Sequence, residues 1–231
     1  MLRVPVRELS VNQASSIQNF GVTCESITVG HNPSSMPLTA NNIFLKEHPE
    51  LADTAAKNFY FSRQNEQADD EAPFYGQPLF EHEGDHLFCK WNRNRVQSAQ
   101  KLENVPKLTE PQKKTMEVLD GIIMRPELMY TMYLEPGDMQ ILNNYTMFHS
   151  RTHYEDFDAP EEKRCLFRLW LAPPDSIKMP ESWKAFYRSI EPSTVRGGIR
   201  GQAYEQSHAD FEKRQADFLG MKIDNRPHVE P

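Results

Sequence analysis

The period of the chain changes after Pro126. Residues 128–151, LMYTMYLEPGDMQILNNYTMFHSR, carry a Pro-Gly-Asp turn between two alternating runs. Residues 163–173, KRCLFRLWLAP, form a further run with apolar side chains on both faces. Successive side chains of a strand point to opposite faces, so such a run belongs in a sheet covered on both sides. A chain that lays down these segments has to close a β core. The reading is a single α+β domain, with helices added to a mostly antiparallel β core. At 231 residues one such domain buries roughly 70% of its unfolded surface, enough to stand without disulfides or metal staples.

The first half supplies the helices. LTANNIFLKEH (38–48) reads as a helix with Leu38, Asn41, Asn42 and Leu45 on one side, and it stops near His48 because Pro49 biases the residue before it out of the helical region. FYFS (59–62) begins as a strand and leads into an acidic loop, Glu66 to Glu71. GQPLFEH and HLFCKW then flank Glu83-Gly84-Asp85, the pattern of a hairpin. The clearest helix starts at Thr109: Thr109-Glu110-Pro111-Gln112 matches a capping box with proline in the first turn. Met116, Leu119, Ile122 and Ile123 follow at helical spacing. A polar helix is expected over 202–219, while residues 1–30 show no clear period.

Composition excludes several function classes. Lys and Arg total 26 against 33 Asp and Glu, a formal charge of −7, so the field that draws phosphate backbones is missing and no nucleic-acid partner is expected. No apolar run approaches the roughly 18 residues of a membrane span, and no membrane partner is expected. Cys24, Cys89 and Cys165 are odd in number and far apart, which argues against a disulfide framework or zinc site and for a reducing, cytoplasmic compartment. The N-terminus, MLRVPVRELS, has two arginines but no apolar stretch of a secretory signal; a mitochondrial address is the alternative. RGGIRG (196–201) reads as a connection to the tail rather than an RNA-binding box. Phosphate loop, nucleophile elbow and HExxH helix are all absent from the sequence.

Histidine beside a carboxylate is the ligand chemistry of mononuclear non-haem iron. Four H-x-[DE] pairs occur: His48/Glu50, His153/Glu155, His208/Asp210 and His228/Glu230. Their places suit helix ends, loops and a chain terminus better than a metal centre. His149 differs, since it ends the strand–turn–strand run. Arg164 and Arg168 follow, four residues apart and therefore on one face of their strand. A guanidinium on an inner face needs an anion, because an unpaired buried charge costs several kcal/mol. That anion is either a structural carboxylate or a ligand.

At these residues the sequence resembles the taurine dioxygenase (TauD/TfdA)-like Fe(II)/2-oxoglutarate-dependent dioxygenases, with the likeness reaching the γ-butyrobetaine hydroxylase branch. PGDMQILNNYTMFHSRTHYED, KRCLFRLWL and the VRGGI near 195–199 carry it, together with NNIFLKEHPELADT and PLFEHEGDHLFCKWNR. The resemblance implies a double-stranded β-helix (a jelly roll, clavaminate synthase-like) with flanking helices. It divides the chain into a poorly matched segment (1–30), a dioxygenase-like domain (31–200) and a polar tail (201–231). It further implies Fe(II) and 2-oxoglutarate as cofactors, with O2 and a small organic molecule as substrates. By the same resemblance His149 is the distal iron ligand and Arg164 grips the far carboxylate of 2-oxoglutarate, as a guanidinium fork suits. Arg168 matches an arginine for an anionic substrate or the co-substrate, and Asn32 falls near a family contact to 2-oxoglutarate.

One departure stands out. The family's H-x-[DE] pair would fall near Gln13-Ala14-Ser15, and between Val11 and Cys24 there is no His, Asp or Glu. Two of three iron ligands are therefore not found, and no residue is expected in a catalytic role of its own. Weak 2-oxoglutarate turnover by the 231-residue chain is the expectation. The rival function is a non-catalytic binding module that keeps the anion-binding arginines; a cupin-like isomerase is a third.

Overall fold

In a computed structural model of the chain, the described residues are 25–28, 36–68, 71–133, 140–145, 147–151, 173–187, 189–196 and 206–223. Helices and small, mainly antiparallel sheets make up this α+β structure.

Two helices anchor the larger core. Helix α1 (Met36–Glu47) ends at His48; a 3-10 turn (Pro49–Leu51) and the short α2 (Ala52–Ala55) follow it. The long helix that begins after Thr109 (Glu110–Ile123, below α4) has the capping box read from sequence. The Gln112 N–H donates to Thr109 Oγ1 at 3.3 Å, and the Thr109 N–H donates to Gln112 Oε1 at 3.0 Å. Gln112 Nε2 also donates to Asn58 O at 3.1 Å, which ties this helix start to the strand that follows Asn58.

Met116, Leu119 and Ile122 are buried as their spacing predicts. The buried side of α1 is different from the one its leucines mark. Ala40, Asn41 and Phe44 are buried, whereas Leu38 and Leu45 are 45% and 44% exposed. Phe44 packs its ring on Phe80, centroids 5.9 Å apart. Burying the larger aromatic surface outweighs two leucines whose face would otherwise turn inward.

Strands β2 (Phe59–Ser62) and β3 (Phe74–Gln77) pair antiparallel, with Phe59 opposite Gln77 and Phe61 opposite Tyr75. Phe59 and Phe61 are fully buried, and the Phe61 and Tyr75 rings stack at 5.7 Å. Strands β4 (Phe80–Glu83) and β5 (His86–Cys89) form the expected hairpin, Glu83 opposite His86. Gly84 takes φ +56° at the first of the two turn positions. A positive φ there matches the twist of the flanking strands and costs glycine nothing. Helix α3 (Arg93–Ala99) is capped by Asn92, whose Oδ1 accepts the Arg95 N–H at 3.0 Å, and it buries Val96 and Ala99 completely.

A three-stranded antiparallel sheet places the site. Strand β1 (Glu25–Thr28) lies between β6 (Tyr130–Tyr133) and β7 (His149–Arg151), with Thr28 opposite both Tyr130 and His149. His149 thus opens a strand instead of ending one. The expected second alternating run is irregular where it is described, over 140–145 and 147–148. Asn143 explains part of this: its Oδ1 accepts the Tyr145 N–H at 3.0 Å, a local bond that competes with ladder pairing. The Pro-Gly-Asp turn and the 163–172 run lie outside the described residues.

The polar helix near the C-terminus is α5 (Gln206–Leu219). It joins β8 (Thr194–Val195) to a parallel partner, β9 (Lys222–Ile223). Val195, Ala216 and Met221 close a small apolar cluster between them.

Candidate functional site

A cavity of about 530 Å³ opens between the end of β5, the C-terminal turn of α4, the start of β7 and the 3-10 segment Glu181–Ala185. That volume is in the range of small-molecule sites. Each wall has a physical support. From α4, Asp120 accepts the Trp91 indole N–H at Oδ1, 2.8 Å away, and takes a hydrogen bond and ion pair from Arg93 Nε on its other oxygen. Both carboxylate oxygens are engaged, so Asp120 fixes the Trp91 rim.

The opposite wall is aromatic. Trp183 stacks on Tyr187 with centroids 5.9 Å apart and planes 5° from parallel. Phe88 meets Trp183 edge-on at 5.5 Å, and Tyr145 lies 6.2 Å from Trp183. Behind this wall sits Arg196, 3% exposed. It donates to the Tyr145 hydroxyl at 2.9 Å, to Glu191 O at 3.3 Å and to Ile177 O. The arginine that opens RGGIRG is therefore buried behind the cavity wall, while residues 197–201 lie outside the described residues.

Cys89 and Lys90 line the same cavity. Burial pushes the Cys89 thiol up and the Tyr187 phenol well up. Neither ionises readily, so neither serves as an anionic nucleophile near neutral pH. The half-buried Lys90 amine is pushed down to about 8, first by burial and then by the charges of Arg95 and Arg63.

His149 is exposed and lines the cavity, its backbone paired with Thr28. Arg164, Arg168 and Asn32 lie outside the described residues, as do His153/Glu155 and His228/Glu230. His48 and Glu50 meet at 3.4 Å on an exposed turn after α1, and Asp210 accepts the Gln206 amide at 2.9 Å on the outer helix α5. Among the described residues neither pair is joined by a third metal-ligating side chain.

The family description "Taurine catabolism dioxygenase TauD, TfdA family" matches residues 38–170. The chain belongs to this family. The match includes β2 to β7 and the cavity walls contributed by β5, α4 and β7, but not Trp183, Tyr187 or Arg196. FR-33289 synthase of Streptomyces rubellomurinus (strain ATCC 31215) is 27% identical over 164 residues, which cover 70% of this chain and 46% of that protein. The chain spans about half the length of this curated relative.

The TauD/TfdA resemblance implies iron, and the residues described can be tested for it. Among them no three His, Cys, Asp or Glu side chains converge on a point that could hold a metal ion. His149 is one neutral nitrogen donor at a cavity edge. The described residues do not fit an iron centre by themselves. What they do provide is a walled pocket with a fixed indole rim, an aromatic platform and a lysine. Lys90, Asp120, Trp183, Tyr187 and Arg196 were not singled out as site residues from sequence. Lys90 carried a signal as a lysine directly after the apolar strand HLFC, and Arg196 carried one as the arginine of VRGGI.

Proposed function

We propose that the chain is an oxidoreductase of the Fe(II)/2-oxoglutarate-dependent dioxygenase type, folded on a double-stranded β-helix and acting on a small organic substrate. The supporting observation is that a family match ending at residue 170 contains His149, and that His149 lines a cavity of ligand size. In this reading His149 is a metal ligand and Arg164 holds the far carboxylate of 2-oxoglutarate. Arg168 and Asn32 assist with the co-substrate or with an anionic substrate. The residues from 31 to 200 form the dioxygenase-like domain, and 201–231 the tail. The chain's own contribution is positioning: Asp120 and Arg196 stiffen opposite walls, and the rings they hold exclude water from the reacting molecule.

A second reading is a binding module that keeps the anion-holding arginines without oxidation. The absence of converging metal ligands among the described residues favours it. Succinate and CO2 release from 2-oxoglutarate, with added Fe(II) and ascorbate, separates the two. The dioxygenase reading expects weak release from the unmodified chain, a rise in the Gln13→His, Ser15→Asp double variant, and loss with His149→Ala. It also expects 2-oxoglutarate to bind at least about tenfold more weakly to Arg164→Met, the cost of a lost charged hydrogen bond. Binding of 2-oxoglutarate with no turnover in either form would favour the module, and no binding at all would remove both.

A further inference from the structure

We infer that Lys90 is the anion anchor of the cavity, taking the anionic end of an organic ligand whose apolar body lies beside Trp183 and Tyr187. The inference deepens the reading of this cavity as the substrate site and rests on it.

Lys90 follows β5 directly, and its N–H donates to Leu79 O at 3.0 Å, which fixes where the side chain starts. Its ammonium lies 4.4 Å from the Phe186 ring centre, 5.7 Å from Trp183 and 5.8 Å from Tyr75. Ring faces steady a cation but accept no strong hydrogen bond. The neighbouring cations are treated differently. Arg63, also over Tyr75 at 5.0 Å, pairs with Glu71 at 3.6 Å, and Arg95 pairs with Glu66 at 2.9 Å. Among the described residues no carboxylate pairs with Lys90.

Among the described residues the patch holds three cations, Lys90, Arg63 and Arg95, and two paired carboxylates, Glu71 and Glu66, in a chain of net charge −7. The depressed amine is consistent with this, because burial and two nearby cations disfavour a third charge. A ligand anion would supply the missing countercharge and accept the ammonium's hydrogen bonds. Trp183 and Tyr187 line the same cavity and give the rest of the molecule apolar neighbours.

The test uses the metal-free chain and three probes of similar shape: phenylacetate, benzylphosphonate and neutral phenylacetamide, titrated by calorimetry. At least one acid should bind roughly tenfold or more tighter than the amide, as expected for a charged hydrogen bond formed away from bulk water. Comparison of the two acids tells which head group the site prefers. The preference should vanish in Lys90→Met and persist in Lys90→Arg and in Arg164→Met. Acids that bind no better than the amide, or a preference that survives Lys90→Met, would overturn the assignment. A preference lost in Arg164→Met but kept in Lys90→Met would also overturn it, while leaving the dioxygenase reading standing. Acid preference tied to Lys90 in a chain that never turns over 2-oxoglutarate would support the anchor and count against the oxidation alone. Should Lys90→Met not fold, acetylation of Lys90 in the unmodified chain, read by mass spectrometry, decides: a preferred acid should slow it severalfold and phenylacetamide should not. Equal protection by acid and amide overturns the proposal.

Discussion

The core around Phe44 and the wall around Trp183 use similar aromatic side chains to opposite ends. In the first, Phe44, Phe59, Phe61, Leu119 and Ile122 are closed off from solvent, with Ala40 filling the gap between helices. In the second, Trp183 and Tyr187 stack at the edge of a cavity and the polar groups behind them are cations. Phe186 takes part in both, since it packs with the core yet carries Lys90 and Arg63 over its ring. A core of apolar atoms gains by excluding everything else. A wall of rings backed by charge leaves room for a guest and a field to orient it. The same residue types thus make either structure, depending on what stands behind them.

Substitutions in the closed core should have the largest effect. Phe44→Ala removes a fully buried ring and should cost about 3–5 kcal/mol in chemical denaturation. Tyr187→Ala, half-buried at the cavity edge, should cost clearly less; equal costs would erase the distinction drawn between the two regions.

The two cations over Tyr75 give the next contrast. Arg63→Met removes the ion pair to Glu71 and the hydrogen bonds to the carbonyls of Ala72 and Ala185, and a loss of about 2–3 kcal/mol is expected from unmade hydrogen bonds to a charged group. Lys90→Met leaves no described carboxylate orphaned and should be neutral or stabilising. If Lys90→Met proved as damaging as Arg63→Met, Lys90 would be a structural cation like its neighbour.

A smaller effect is expected at the local device that starts α4. Thr109→Ala deletes the capping hydroxyl and should lower stability by about 1 kcal/mol, with ligand binding unchanged. A change in cavity affinity would mean that the helix start is coupled to the far end that holds Asp120.

The last signal is a slope. The Lys90 amine titrates near 8 when folded against an ordinary 10.5, so between those values the unfolded chain binds more protons and stability rises with pH. Arg63 and Arg95 face it. Tyr75, raised to about 12, and the raised Cys89 and Tyr187 act in the opposite sense, lowering stability as pH passes their ordinary values. The difference between unmodified chain and Lys90→Met melting curves, taken from pH 8 to 10.5, isolates the lysine. Superimposable slopes would show that its amine is not perturbed.

Local signals were legible in the sequence because they act within a few residues. The Thr109/Gln112 box, the Gly84 turn and the stop before Pro49 each depend on neighbours along the chain, and each occurs as read. The dioxygenase family was legible in the His149 block for a related reason, as a contiguous pattern. The buried face of α1 was not, because Leu38 and Leu45 describe as good a stripe as Ala40 and Phe44 until Phe80 is brought against one of them. The run before His149 misled for a similar reason: its alternation suggests a strand, but Asn143 captures the Tyr145 N–H locally.

The sequence by itself determined the start of α4, the hairpin, the acidic balance and the family. Only the tertiary structure decided the cavity. Lys90, Asp120, Tyr145, Trp183 and Arg196 come from separate stretches of chain, and none has a neighbour in sequence that reveals its partner. Arg196 reaches Tyr145 across 51 positions, and Lys90 meets Trp183 across the gap between β5 and a 3-10 turn. Contacts of that kind follow from how the packed elements bring distant side chains within a few ångströms. Desolvation then sets how strongly those charges and rings act on one another.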